Sequence, residues 1–461
     1  MDWAELGRGM KGELILAGDE RMALAGKQFA RALPFQLPQA LLRCAGADDV
    51  RRAVEFVARH RPAFAVRSGG HCFGDLSSSE GLVIDLSAMN GISVGEGIVE
   101  AGPGALTGDL SRALAAAGRC VPTGGCPLVA IGGLALAGGF GFLGRRHGLT
   151  ADRVIGIDIV LADGSLVHAS ATEHPDLFWA LRGGGALGFG IVTGLTLATA
   201  PLEPLTVVNG RWPLAQAAPI IEAWQAWAPE ADESAGVELG LVASDFPEEP
   251  PIVELFGILA GEAGRAAREL ARIETWLGPL AGGLSLWRAS PAEASDYCCG
   301  LLNHRMGPAW LPKRPYDGVG FHSTRSHFFD GAIGAAGLEE CVRGFAEDRL
   351  YAQYRELELV PWGGAYGRDD GTACFLHRGP RLLIRHTATA GARSTPELRA
   401  ETARWTGRSA DSLAPWSNGR PYQGYAEPDR AGWAQSCHGE RLPRLLEIRA
   451  AHDPDRLFAR P

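Results

Sequence analysis

Arg67-Ser68-Gly69-Gly70-His71 follows the short apolar run Ala63-Phe64-Ala65-Val66, and the reading of this junction decides the fold. The run has the length and composition of a buried strand. Paired glycines behind it let the chain turn with consecutive N–H groups aimed the same way, a cradle for an anionic group. Arg67 adds charge or anchors the turn, and His71 emerges beside whatever the turn holds. Gly-Gly-His by itself is common in ordinary surface turns, so its meaning depends on what lies farther along.

Farther along comes Cys126-Pro127-Leu128-Val129-Ala130-Ile131-Gly132-Gly133-Leu134-Ala135-Leu136-Ala137-Gly138-Gly139-Phe140-Gly141. Its two glycine pairs allow backbone to lie almost in contact with a flat ring and its phosphate tail. Gly139, Gly141 and Gly144 spell GxGxxG, but the preceding segment is interrupted by glycine and Arg145-Arg146-His147-Gly148 follows at once. The acid at the required distance, Asp163, belongs to an Asp163-Gly164 turn, which argues against a nicotinamide dinucleotide fold.

Around these segments, helix and strand alternate from about Pro34. Asp48-Asp49-Val50 opens a helix with Val50, Val54 and Val57 on one face, and Leu82-Val83-Ile84-Asp85-Leu86 reads as a strand. Gly95-Glu96-Gly97 joins one hairpin, and Asp163-Gly164 forms the two-residue turn of another. A helix is expected from Thr107 or Asp109 to Gly118. Pro201-Leu202-Glu203-Pro204 looks like a boundary. Beyond it, helices over 214–227 and 264–277 and strands over 237–242, 252–259 and 382–387 do not alternate strictly. That mixture predicts an antiparallel sheet covered on one side by helices, and α+β as the fold class.

Composition bounds the function. A chain of 461 residues exceeds one hydrophobic core, and 46% hydrophobic residues suffice for two. The net charge of -9, with no Lys/Arg block, argues against nucleic acid or an anionic membrane surface as the main partner. Cys44, Cys72, Cys120, Cys126, Cys298, Cys299, Cys341, Cys374 and Cys437 are scattered and odd in number, poor material for disulfides or a zinc site. They read as reduced thiols of a cytoplasmic chain, as does Met1-Asp2-Trp3-Ala4-Glu5-Leu6, which lacks the cationic and apolar regions of a leader. No apolar run reaches bilayer length. The 62 glycines concentrate before residue 205, where backbone is expected to approach a large ligand.

An imidazole nitrogen and a thiolate suit the two electrophilic positions of a flavin ring, the 8α-methyl and C6, so His71 and Cys126 together suggest a doubly tethered flavin. The order of motifs then resembles the berberine-bridge-enzyme-like flavin oxidases of the vanillyl-alcohol oxidase and para-cresol methylhydroxylase superfamily. Besides the two segments above, it rests on Gly148-Leu149-Thr150-Ala151-Asp152-Arg153-Val154 and on His174-Pro175-Asp176-Leu177-Phe178-Trp179-Ala180-Leu181-Arg182-Gly183-Gly184-Gly185. Phe189-Gly190-Ile191-Val192-Thr193 and Asp453-Pro454-Asp455-Arg456-Leu457-Phe458 complete it.

The resemblance implies an FAD-binding domain over 1–204, a substrate domain over 205–415, and a segment over 416–461 that returns to the first. It makes His71 the 8α-histidyl link and Cys126 the 6-S-cysteinyl link. Arg67, Ser68, Gly69, Gly70, Pro127, Gly132, Gly133, Gly138, Gly139, Gly141, Ile191 and Val192 would surround the cofactor.

The family's Tyr-x-Asn-Tyr pattern reads Tyr422-Gln423-Gly424-Tyr425 here. Tyr422 or Tyr425 would take the substrate's proton, and the polar contact of the missing asparagine is lost or supplied otherwise. Leu187, His147 and Cys437-His438-Gly439 also depart from the family, which leaves the substrate open. The implied activity is hydride transfer from a carbinol or amine carbon of a bulky small molecule to flavin, with O2 as acceptor, in bacterial secondary metabolism. A dehydrogenase with another acceptor, a non-redox cyclase or eliminase using flavin as scaffold, and a carrier with vestigial flavin are the rivals; substrate consumed with neither peroxide nor flavin bleaching would remove the oxidase reading.

Overall fold

The computed structural model describes the chain except residues 26–28, 30–36, 75, 291–292, 295–319, 392, 428 and 459–461. Pro34, Cys298 and Cys299 lie outside the described residues.

The first sheet has four strands in the order Glu13–Leu16, Ala40–Arg43, Leu82–Asp85, Phe64–Arg67. The last three run parallel, with Arg67 beside Asp85. Helix Ala47–His60 crosses between two of them because Val50, Ala53, Val54 and Val57 form a buried stripe. Asp49, in its first turn, accepts N–H bonds from Lys11, Gly12 and Ala45, which ties the N-terminal segment down.

A second sheet of five strands, all antiparallel, is ordered Ile92–Val94, Ile98–Ala101, Ile191–Ala198, Val154–Val160, Leu166–Ser170. The hairpin at Gly95-Glu96-Gly97 closes as expected, with Gly95 N–H donating to Ile98 O. The turn at Asp163-Gly164 differs from the two-residue expectation. The loop spans 161–165, closed by bonds from Leu161 N–H to Ser165 O and from Gly164 N–H to Leu161 O.

The third sheet is fully antiparallel and has seven strands, in the order Leu284–Ala289, Leu205–Pro213, Ile252–Ala260, Ala235–Ala243, Gln353–Pro361, Leu382–Ala390, Phe321–Phe329. Helices Ala217–Trp227, Ala263–Leu277, Ala335–Ala346 and Pro396–Leu413 bury Trp224, Ile273, Phe345 and Trp405 against Leu239, Leu255, Leu357 and Ile384. Strand side chains alternate, so Glu238, Phe256, Glu356, Glu358 and Arg385 emerge on the opposite face, toward the glycine-rich segments. This is the expected α+β architecture.

The chain end returns to the second sheet. Helix Leu442–His452 places Leu445 in the core of that sheet and of helix Pro175–Gly184. Asp453 then accepts the N–H groups of Leu457 and Phe458 at 2.6 and 2.8 Å. Among the described residues, no helix is long and apolar enough to cross a membrane.

Candidate functional site

A cavity of about 500 Å³ lies between the glycine-rich segments and the polar face of the seven-stranded sheet, within the range of about 300–1,000 Å³ typical of ligand sites. Ser68, Gly69, Gly70, His71, Cys126, Gly132, Gly133, Gly141, Ile191, Val192, Tyr422 and Tyr425 all line it.

Gly70 takes a positive φ of 70°, which suits glycine and turns the chain so that His71 faces the cavity. The imidazole stacks on Phe29 with ring centroids 3.8 Å apart. Arg67 does not reach the cavity wall. It is buried, and its Nε donates to Ser77 O at 3.1 Å, so it anchors the loop from behind.

Cys126 is half-buried. Its loop is pinned by the start of helix Thr107–Ala116: Thr107 Oγ1 donates to Cys126 O at 2.9 Å, and Gly108 N–H to Pro127 O at 3.0 Å. Pro127 packs on Gly108 and stays off the cavity wall; a Cβ at Gly108 would come within 2.6 Å of Pro127 Cβ.

Gly133 keeps space open. A Cβ there would meet only Ser68 Oγ, at 3.9 Å, and would project into the cradle. Gly138 and Gly139 stand behind the wall, contrary to expectation, because their missing side chains admit Phe375 and Thr150, which a Cβ would approach to 2.7 and 2.4 Å.

The two tyrosines are held differently. Tyr422 Oη accepts Gly139 N–H at 2.9 Å, its own N–H donates to Ser326 Oγ at 3.1 Å, and burial pushes its phenol above the usual range. Tyr425 meets Phe73 and Phe140 edge-on at 5.1 and 5.9 Å, with the Arg385 guanidinium 5.3 Å from its ring centre. Burial raises its phenol well above 10, and Arg385 opposes that rise.

Sequence reasoning missed the sheet's contribution. Tyr354, Glu356 and Glu358 alternate along Gln353–Pro361, opposite Arg385 and Thr387 of Leu382–Ala390. Arg385 bonds Glu356 at 3.1 Å and Glu358 at 2.9 Å, and Tyr354 Oη donates to Glu356 at 2.9 Å. His322 completes this wall, with Nδ1 3.1 Å from Thr324 Oγ1; burial, then Arg385 and His71, push its imidazole down to about 3. The Tyr-x-Glu-x-Glu period was visible, but nothing in the sequence brought that strand to the glycines.

His147 and His438 do not line the cavity. Burial first pushes each down to about 4. His377 stacks on Phe328, with centroids 4.4 Å apart, and Arg378 makes two bonds to Asp152 at 2.8 and 2.6 Å, a structural pairing with the family motif at 148–154.

These residues fit FAD. Gly133 leaves a cradle that a Cβ would fill, and Gln423 Oε1 is buried on the wall with no hydrogen-bond partner among the described residues. A flat ring with polar edges satisfies both.

Comparison with known proteins agrees. A family model described as an FAD binding domain matches residues 38–170. The FAD-linked oxidoreductase YvdP of Bacillus subtilis (strain 168) is 30% identical over 98% of this chain and 97% of its own length. The carbohydrate oxidase of Microdochium nivale is 27% identical over 93% of this chain and 88% of its own. The solved structure of wild-type BBE-like 1 from Physcomitrella patens shares the fold, with a TM-score of 0.86, 23% identity, and coverage of 99% of this chain and 97% of that one.

Site and relatives together define an FAD-dependent oxidoreductase. The chain belongs to the FAD-linked oxidoreductases, and its fold is that of the berberine-bridge-enzyme-like structures.

Proposed function

We propose that this protein is an oxidase of a bulky small molecule, acting at a carbinol or amine carbon, with FAD held covalently by His71 and Cys126. One observation carries the reading: His71 and Cys126, on separate glycine-lined segments, face a single cavity. When bound, FAD supplies the acceptor for a hydride and the route by which the electron pair reaches O2 as hydrogen peroxide.

Arg67 holds the His71 loop, and Thr107 holds the Cys126 loop. Ser68, Gly69, Gly70, Gly132, Gly133, Gly141, Ile191 and Val192 form the surface on which the cofactor lies. Tyr422 Oη already accepts Gly139 N–H, so we assign substrate contact to Tyr425. Its raised phenol is protonated at neutral pH, so it acts as a hydrogen-bonding relay. The substrate's proton passes to the carboxylates of Glu358 or Glu356, kept in place by Arg385. The domains run over 1–204 and 205–415, with 416–461 returning to the first, and the product is used in secondary metabolism.

Acid precipitation tests the tether. Wild-type protein retains yellow colour in the pellet, His71→Ala and Cys126→Ala each retain flavin through one link by intact mass, and the double variant releases it. Wild-type protein that gives up all its flavin to the supernatant contradicts the tether. Substrate consumed without peroxide contradicts the oxidase.

A further inference from the structure

Gln423 lies between the two tyrosines of the cavity wall and is 3% exposed. Its Nε2 donates to Gly183 O at 3.0 Å. A carbonyl oxygen can only accept, so the nitrogen must face Gly183 and Oε1 must point the other way. Oε1 has no hydrogen-bond partner among the described residues, and Gln423 lines the cavity. Gly183 sits at the break in helix Pro175–Gly184, with φ 115°, and Gly185, Ala186, Gly188 and Gly190 beyond it also line the cavity.

The neighbouring position cannot supply the polar group. A Cβ at Gly424 would lie 2.4 Å from Tyr422 Cε1 and 2.8 Å from Cζ. Tyr422 is fixed there by Gly139 N–H and Ser326 Oγ, so an asparagine in the family's place would collide with it. Buried acceptors are nearly always paired, and an orphan on a ligand wall calls for a donor on the ligand.

We propose that Gln423 Oε1 accepts a hydrogen bond from the flavin half of FAD, either the isoalloxazine N–H or a ribityl hydroxyl. The bond from Nε2 to Gly183 O orients the acceptor in advance. The inference deepens the proposed site and rests on FAD binding in this cavity.

The test uses the His71→Ala/Cys126→Ala double variant as parent, so that FAD binds reversibly and its dissociation constant is read by fluorescence quenching. Gln423→Leu in this parent weakens FAD binding about tenfold, the worth of one hydrogen bond. Gln423→Glu, which keeps an acceptor but when ionised loses the Gly183 bond that orients it, recovers part of that affinity. FAD methylated at the ring N–H separates the two donors: a parent that discriminates against it assigns the ring, and a parent that binds both forms alike, with both weakened by Gln423→Leu, assigns the ribityl chain. Gln423→Leu binding FAD as tightly as the parent overturns the inference. So does Gln423→Glu losing as much as Gln423→Leu, since the Gly183 bond alone would then matter. A parent that binds no FAD at all overturns the site itself.

Discussion

At the scale of single residues, the two tyrosines separate by what their hydroxyls meet. Tyr422→Phe leaves Gly139 N–H buried without its acceptor; we expect a loss of stability of about 1–3 kcal/mol by denaturant melts, with a smaller effect on turnover. Tyr425→Phe should reverse the pattern, lowering kcat/KM by about 10²–10⁴-fold while the melting temperature and flavin content hold. Equal effects of the two substitutions on turnover would refute the assignment.

Gly133 offers a second residue test. Its Cβ direction opens into the cradle, so Gly133→Leu should fold with an apo melting temperature like that of wild type yet purify with little FAD. Full flavin content in that variant would mean the ring lies elsewhere. His71, Cys126 and both tyrosines could be located from the chain because they sit in ordered motifs. Arg67, Pro127, Gly138 and Gly139 shared those motifs but support the wall from behind, and sequence does not distinguish a lining residue from its buttress.

At the scale of elements, the glycine-rich segment is fastened to the seven-stranded sheet at a few points. Arg145, buried, donates to the carbonyls of Trp362, Pro229 and Ala231, and Tyr366 Oη both accepts Gly141 N–H and donates to Gly141 O. Arg145→Met strips three carbonyls of their donor at about 1–3 kcal/mol for each left dry. A clear drop in melting temperature is expected, and an unchanged one would show that water replaces the guanidinium.

Most strands and helices were readable from period and punctuation, including the helix stripe Val50, Val54, Val57 and the hairpin at Gly95. The Asp163-Gly164 loop came out longer because Leu161 and Ser165 close it one pair further out than the Asp-Gly signal implies. The Glu356, Glu358 and Arg385 wall was not legible, since cross-strand pairing between 353–361 and 382–390 is a long-range fact of register that no local pattern encodes.

At the scale of the whole molecule, the core is built to keep imidazoles neutral. Burial pushes His147, His327 and His438 down to about 4, and His322, His377 and His386 to about 3. Each binds a proton more readily when unfolded, near 6.5, than when folded. Their contribution to stability is therefore complete above pH 6.5 and is lost as pH falls through the window from 6.5 to about 3. Melting temperature should drop steadily across that window, and a flat profile would contradict it.

The same architecture lets two segments far apart in sequence close on one cofactor, which is the centre of the proposal. Its most direct test is mass spectrometry of a proteolytic digest of the denatured holoprotein. The expected product is a single species in which the peptide carrying His71 and the peptide carrying Cys126 are joined through one FAD. Both peptides at their unmodified masses, with FAD free in solution, would contradict it.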